Sequence, residues 1–73
     1  MTDSETEIMR YFRRYRVGAR KMLCFDTGPA KTRSPQFYHA MASLVRNGLV
    51  VEEQRRRGAY SLTPSGYRAS LSA

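Results

Sequence analysis

Gln36, His39, Ser43 and Arg46 recur at 3-4-3 spacing. At 100° per residue that spacing gives one stripe of a helix, opposite Phe37, Met41 and Leu44. The residue types suit hydrogen bonding to a nucleic-acid duplex. Gln can meet adenine through two bonds, and Arg can meet guanine or a phosphate. His and Ser can donate to base edges or to the backbone. An ordinary solvated helix face carries the same kinds of residue. A second set is Arg55, Arg56 and Arg57 followed by Gly58. Three guanidiniums at a hairpin tip can lie along phosphates or enter a narrow minor groove. Charged turns also shield strand edges, but three adjacent arginines exceed that need. A third set, Lys31, Thr32, Arg33 and Ser34, precedes a helix start. Its backbone N–H groups and basic side chains can hold an anion; the plain alternative is a loop.

Other chemistries find no support. Residues 28–32 lack the G-x-x-x-x-G-K-[ST] spacing of a phosphate-binding loop. One cysteine, Cys24, allows no intramolecular disulfide. Cys24 and the single histidine, His39, cannot supply four zinc ligands. Cys24 lies in an apolar run and reads as a small core residue. Outside the first seven residues the only acids are Asp26, Glu52 and Glu53. Glu52 and Glu53 alternate across a strand, so no paired carboxylates arise for acid–base work. No strand-to-helix elbow supports a Ser-His-Asp set. We therefore expect no enzyme, no metal, no cofactor and no small-molecule ligand.

Charge points to the partner. The 73 residues hold 13 Lys and Arg against 6 Asp and Glu, a formal net charge of +7. Asp3, Glu5 and Glu7 account for half of the acids, so residues 8–73 carry 13 bases against three acids. A body that basic repels itself unless it meets a polyanion. The length allows one domain, residues 1–73, with residues 1–3 expected to be flexible. The longest apolar run, Met22 to Phe25, is far short of the roughly 18–20 residues that span a bilayer. The acidic, polar start is unlike a signal peptide. The expectation is a cytoplasmic protein without membrane contact.

The elements that must position these residues follow from periodicity and punctuation. Ser4 and Glu7 form an S-x-x-E box ahead of Ile8, Tyr11, Phe12 and Tyr15, which predicts a first helix over residues 4–16. Gly18 breaks the pattern. Ala19, Met22 and Leu23 suggest a short second helix over residues 19–25, although Met22 to Phe25 reads equally as a buried strand. Residues 27–33 form a basic loop. Ser34-Pro35 starts, and Asn47-Gly48 stops, a third helix over residues 34–47. Residues 49–54 and 59–63 read as strands joined by the arginine turn. Thr63-Pro64 starts a short final helix with Tyr67 and Leu71 on one face.

This order resembles the winged helix-turn-helix domains of bacterial regulators such as the MarR and PadR groups. The resemblance is carried by the capped start at Ser34, by Leu44-x-x-x-Gly48-Leu49-Val50, and by Tyr60-x-Leu62-Thr63-x-x-Gly66 closing the wing. It covers about residues 34–68. It implies an α+β, mostly α fold: three helices, a two-stranded β-hairpin wing and a short C-terminal helix. The loop over residues 27–33 is longer than the usual helix-turn-helix turn. The resemblance also implies a double-stranded DNA-binding protein, a small bacterial or phage transcriptional regulator associated with the nucleoid when bound. The stripe Gln36, His39, Ser43 and Arg46 would enter the major groove, with Tyr38 beside it against sugar or a thymine methyl. Arg55 to Arg57 would hold the backbone or minor groove, and Lys31, Thr32, Arg33 and Ser34 a phosphate. Arg20 and Lys21, at the start of the second helix, would meet phosphate too. Arg10, Arg13 and Arg14 read as a solvated face or a site for an acidic partner. The alternative is a small interaction factor or inhibitor that binds an acidic host protein. Either reading leaves room for a homodimer through Tyr11 and Tyr15 or through Tyr67 and Leu71.

Overall fold

The computed structural model describes residues 1–25, 34–56 and 58–73. Among them three helices and three strands alternate: α1 (Asp3–Arg14), β1 (Met22–Cys24), α2 (Pro35–Arg46), β2 (Val50–Glu52), β3 (Ala59–Leu62) and α3 (Pro64–Leu71). The class is α+β, with one antiparallel sheet in the order β1-β3-β2.

The first helix is capped two residues earlier than Ser4 and Glu7 predict. Thr2 is the N-cap and Glu5 the third helical residue. The Glu5 N–H donates to the Thr2 hydroxyl (3.2 Å), and the Thr2 N–H donates to the Glu5 carboxylate (3.0 Å). Both T-x-x-E and S-x-x-E occur in the sequence. The Thr2 register wins a third bond, because Glu5 then faces α2 and accepts the Ser43 hydroxyl at 3.3 Å. Thr2 is thus engaged through both its hydroxyl and its backbone N–H. These bonds, the Thr2 backbone first, hold the Glu5 carboxyl below its ordinary pKa against the opposing effect of burial. A carboxyl depressed in the folded state stabilises fully above its unfolded pKa and loses that stabilisation as pH falls through the folded one. Urea midpoints are therefore expected to drop below about pH 4 in the natural chain. Glu5→Gln, measured over the same pH series, should flatten that drop; an unchanged acid limb would exclude Glu5 as its source.

α1 ends in a Schellman motif. The Arg16 N–H donates to Arg13 O (3.0 Å) and the Val17 N–H to Phe12 O (2.9 Å). The residue in the left-handed position is Arg16, φ 54°. Val17 and Phe12 are both buried, supplying the apolar contact that accompanies this cap. α2 ends the same way, with Gly48 (φ 74°) in that position and bonds from Gly48 to Val45 and Leu49 to Leu44. The Asn47-Gly48 stop is where the sequence predicts it. Ser34 caps α2 through the Phe37 N–H at 3.2 Å, and Pro35 occupies its first position.

The segment over residues 19–25 is not a helix. Residues 18–21 form a turn closed by the Lys21 N–H on Gly18 O (3.1 Å), and β1 follows. The Arg20 N–H donates to Leu62 O (2.7 Å) while Leu62 N–H donates to Lys21 O (3.2 Å), so two residues oppose one. That is a β-bulge of the type whose first residue is normally a left-handed glycine. Arg20, φ 66°, stands there. A run of four apolar residues lacks helical period, and pairing with β3 satisfies its backbone instead. The sheet accordingly has three strands rather than a two-stranded wing alone. Among the described residues no helix separates α1 from α2, so residues 19–25 supply no helix-turn-helix corner.

Phe12, Met9, Met41, Leu44, Leu62 and Val50 form the centre of the core, each at most 2% exposed. Phe25 joins its layers. Its ring lies 5.5 Å from Phe12, 5.5 Å from Phe37, 6.1 Å from Tyr60 and 6.2 Å from Tyr11. α3 turns its small residues inward: Gly66 and Ser70 are buried. Tyr67 and Leu71 do share a face, but it is the outer one, 37% and 51% exposed.

Candidate nucleic-acid interface

α2 presents Gln36, Tyr38, His39, Ala42, Val45 and Arg46 as exposed residues. Phe37, Ala40, Met41 and Leu44 are buried on the opposite side. The stripe predicted at 3-4-3 spacing is therefore outward at Gln36, His39 and Arg46. Ser43 departs from it. It is half-buried, donates to Glu5 and receives a long contact from Asn47 Nδ2 at 3.5 Å, so it ties α1 to α2. At 340° from Gln36 taken as zero, Ser43 lies between Gln36 and His39 (300°), so helical period alone places it within the stripe. Its bond to Glu5 across the α1–α2 contact is what sets it apart from its neighbours in the stripe. Glu5, its partner, carried a sequence signal in the T-x-x-E pattern.

Tyr38 is 56% exposed and packs edge-on against Phe37 with centroids 5.4 Å apart. It also neighbours Tyr60, whose phenol is pushed up first by burial, then by the Glu52 carboxylate and by Tyr38. Glu52 and Tyr60 are direct cross-strand partners. Glu53 points the other way and accepts the Ser61 hydroxyl. The two acids thus lie on opposite faces of the sheet. Glu52 makes the space between Tyr38 and Tyr60 unfavourable for phosphate.

The hairpin tip carries Arg55 and Arg56, both exposed. It closes through the Glu53 N–H on Ala59 O (2.9 Å) and the Ala59 N–H on Arg56 O (3.2 Å), with Gly58 at φ 78°. The left-handed glycine fits the predicted Arg-Gly turn. The tip and the start of α2 occupy one end of the fold. The Phe25 N–H donates to Gly58 O at 2.8 Å, and the Phe25 ring touches Phe37 in the first turn of α2. Ser34, spent on capping, sits at that same end with its hydroxyl engaged by the Phe37 N–H.

Arg20 and Lys21 are exposed but lie elsewhere. They pair with Leu62, whereas Phe25 and Gly58 pair at the other end of β1 and β3. Four residues of strand, roughly 13 Å, separate the two ends. The structure therefore places the first turns of α2, with Gln36, Tyr38 and His39, and the hairpin that carries Arg55 and Arg56 at one end of the fold, and Arg20 and Lys21 at the other end of the sheet. Lys31, Thr32, Arg33 and Arg57 lie outside the described residues.

Among the described residues, no helix is long and apolar enough to cross a membrane, and no three His, Cys, Asp or Glu side chains gather as a metal site. No protein-family model matches the chain, and no characterised protein or solved structure shows significant similarity to it.

Proposed function

We propose that this chain is a double-stranded DNA-binding protein of winged-helix type, a small transcriptional regulator of bacterial or phage kind. α2 lies in the major groove and the arginine hairpin lies on the backbone or in the adjacent minor groove. The observation that carries this reading is the Phe25 junction. It fixes an outward polar helix face and an arginine-tipped hairpin at one end of a compact body of net charge +7. A helix of this width fits the major groove, and its first residues are the ones that reach base edges. Gln36 and His39 are the base-reading residues. Arg46, at the far end, meets phosphate. β1 broadens the base of the hairpin into a sheet, which stiffens the wing.

The test is a salt series of binding to random and genomic duplex fragments, with the retained fragments sequenced. Each phosphate neutralised contributes about −0.9 to the log–log slope of affinity against salt. Arg55→Ala with Arg56→Ala should flatten the slope by about 1.8 and weaken all sequences by roughly 50-fold near 0.1 M salt. Gln36→Ala and His39→Ala should change which fragments are retained. Absent or salt-independent duplex binding would sink the reading. Recovery of one stoichiometric acidic protein partner, unaffected by nuclease, would replace it with the interaction-factor alternative.

A further inference from the structure

The basic residues from Arg10 to Lys21 are not used by the α2–hairpin interface. All six, Arg10, Arg13, Arg14, Arg16, Arg20 and Lys21, are exposed. Arg10 stands one turn from both Arg13 and Arg14, at spacings where like charges repel. The C-terminal end of a helix favours cations, so Arg13 and Arg14 alone assign nothing. Arg16 and Arg20 differ. They are the two non-glycine residues at positive φ among those described, 54° and 66°. Arg16 fills the Schellman position and Arg20 the bulge position, the two places where glycine is sterically free and other residues are strained. The chain does use glycine at the equivalent position after α2, Gly48. Neither arginine adds apolar burial, and neither is in an ion pair among the described residues. Two exposed guanidiniums are thus held at a conformational cost that glycine would remove. Strain of this kind, kept without any structural return, marks a functional position.

We infer that Arg16 and Arg20, with Lys21 and the last arginines of α1, form a second phosphate-binding surface that seats a separate duplex segment, so that one copy bridges two. This rests on the duplex-binding reading above. The placement supports separation: Arg20 and Lys21 lie at the Leu62 end of the sheet, while Arg55 and Arg56 lie beyond the Gly58 end. The charge complement of such a surface is a phosphate backbone, which needs no pocket and tolerates an open, convex basic face.

The glycine variants make the test clean, because they remove charge while relieving the backbone. Arg16→Gly with Arg20→Gly should raise Tm by roughly 5–10 °C. Bridging is read by capturing a labelled duplex onto beads that carry an unlabelled one; affinity for one short duplex is read separately. The expected result is that the natural chain bridges. The double variant keeps its single-duplex affinity and loses the capture. Four results overturn the inference: no bridging by the natural chain, unchanged bridging by the variant, loss of single-duplex affinity along with bridging, or nuclease-resistant capture of an acidic protein through the same arginines. Failure of the natural chain to bind even one duplex appears in the single-duplex arm and refutes the duplex-binding reading itself.

Discussion

Replacing Gly66 with Ala should destabilise the protein by about 3 kcal/mol or more, although Ala is the better helix former by about 1 kcal/mol. A Cβ at Gly66 would stand 1.8 Å from Leu49 O, 2.8 Å from the Leu49 carbonyl carbon and 3.1 Å from Leu62 Cδ2. Two of the three obstacles are backbone, so no rotamer change relieves them. Nor can α3 simply slide away. The Thr63 hydroxyl reaches Gly48 O at 2.7 Å and Leu49 O at 3.2 Å, and it also accepts the Gly66 N–H at 2.9 Å. The Thr63 N–H donates to Leu49 O as well (3.1 Å). The start of α3 is thus clasped to the α2–β2 junction, and the missing side chain at Gly66 is what permits the close approach. A domain of this length has roughly 4–11 kcal/mol to lose. Urea unfolding followed by circular dichroism should show the midpoint falling sharply in Gly66→Ala. Ser65→Ala, one residue away on the exposed face, should leave it within about 0.5 kcal/mol of the natural chain. A stabilised Gly66→Ala would mean that helix propensity dominates and that the contact with Leu49 is not close.

Gly66 also shows which parts of the fold a linear reading can reach. Ser34-Pro35, Asn47-Gly48 and Thr63-Pro64 are local signals, since each satisfies backbone groups within a few residues. The helix and hairpin boundaries they mark lie within a residue or two of expectation. What escaped is non-local. β1 finds its partner in β3, and nothing in Met22 to Cys24 announces that pairing. Tyr67 and Leu71 share one face by period, and period alone does not say that this face is the outer one. The real packing face is made of small residues because the neighbouring backbone is so close. Ser43 turns inward for Glu5, 38 residues away. The left-handed positions at Arg16 and Arg20 carry no signal at all, because the residue type that would have marked them is absent. The candidate interface divides on the same line. Gln36, His39 and Arg46 follow from helical period and Arg55 and Arg56 from turn chemistry, while the separation of Arg20 and Lys21 from them needed the sheet register.

Phe25→Ala is expected to cost about 3–5 kcal/mol, enough to leave much of the chain unfolded at 37 °C. The ring meets four aromatic neighbours from α1, α2 and β3, three edge-on and Phe37 tilted, and aromatic pairs of this kind add about 0.5–1.5 kcal/mol each beyond area burial. Thermal unfolding measures the loss directly. A Tm reduced by less than about 5 °C would show that the neighbours close over the gap. The functional consequence is better read in Phe25→Leu, which retains most of the volume and keeps the backbone bond to Gly58 but loses the ring contacts. The hairpin and the first turn of α2 should then hold their relative position less firmly. Duplex affinity should fall while the salt slope stays constant, because the slope counts phosphates and not the order of the surface that meets them. That pattern is the reverse of the one expected for Arg55→Ala with Arg56→Ala, where the slope itself changes. Affinity in Phe25→Leu equal to that of the natural chain would separate the aromatic junction from binding. The two elements would then have to be positioned by the rest of the core, through Met41, Leu44, Val50 and Leu62.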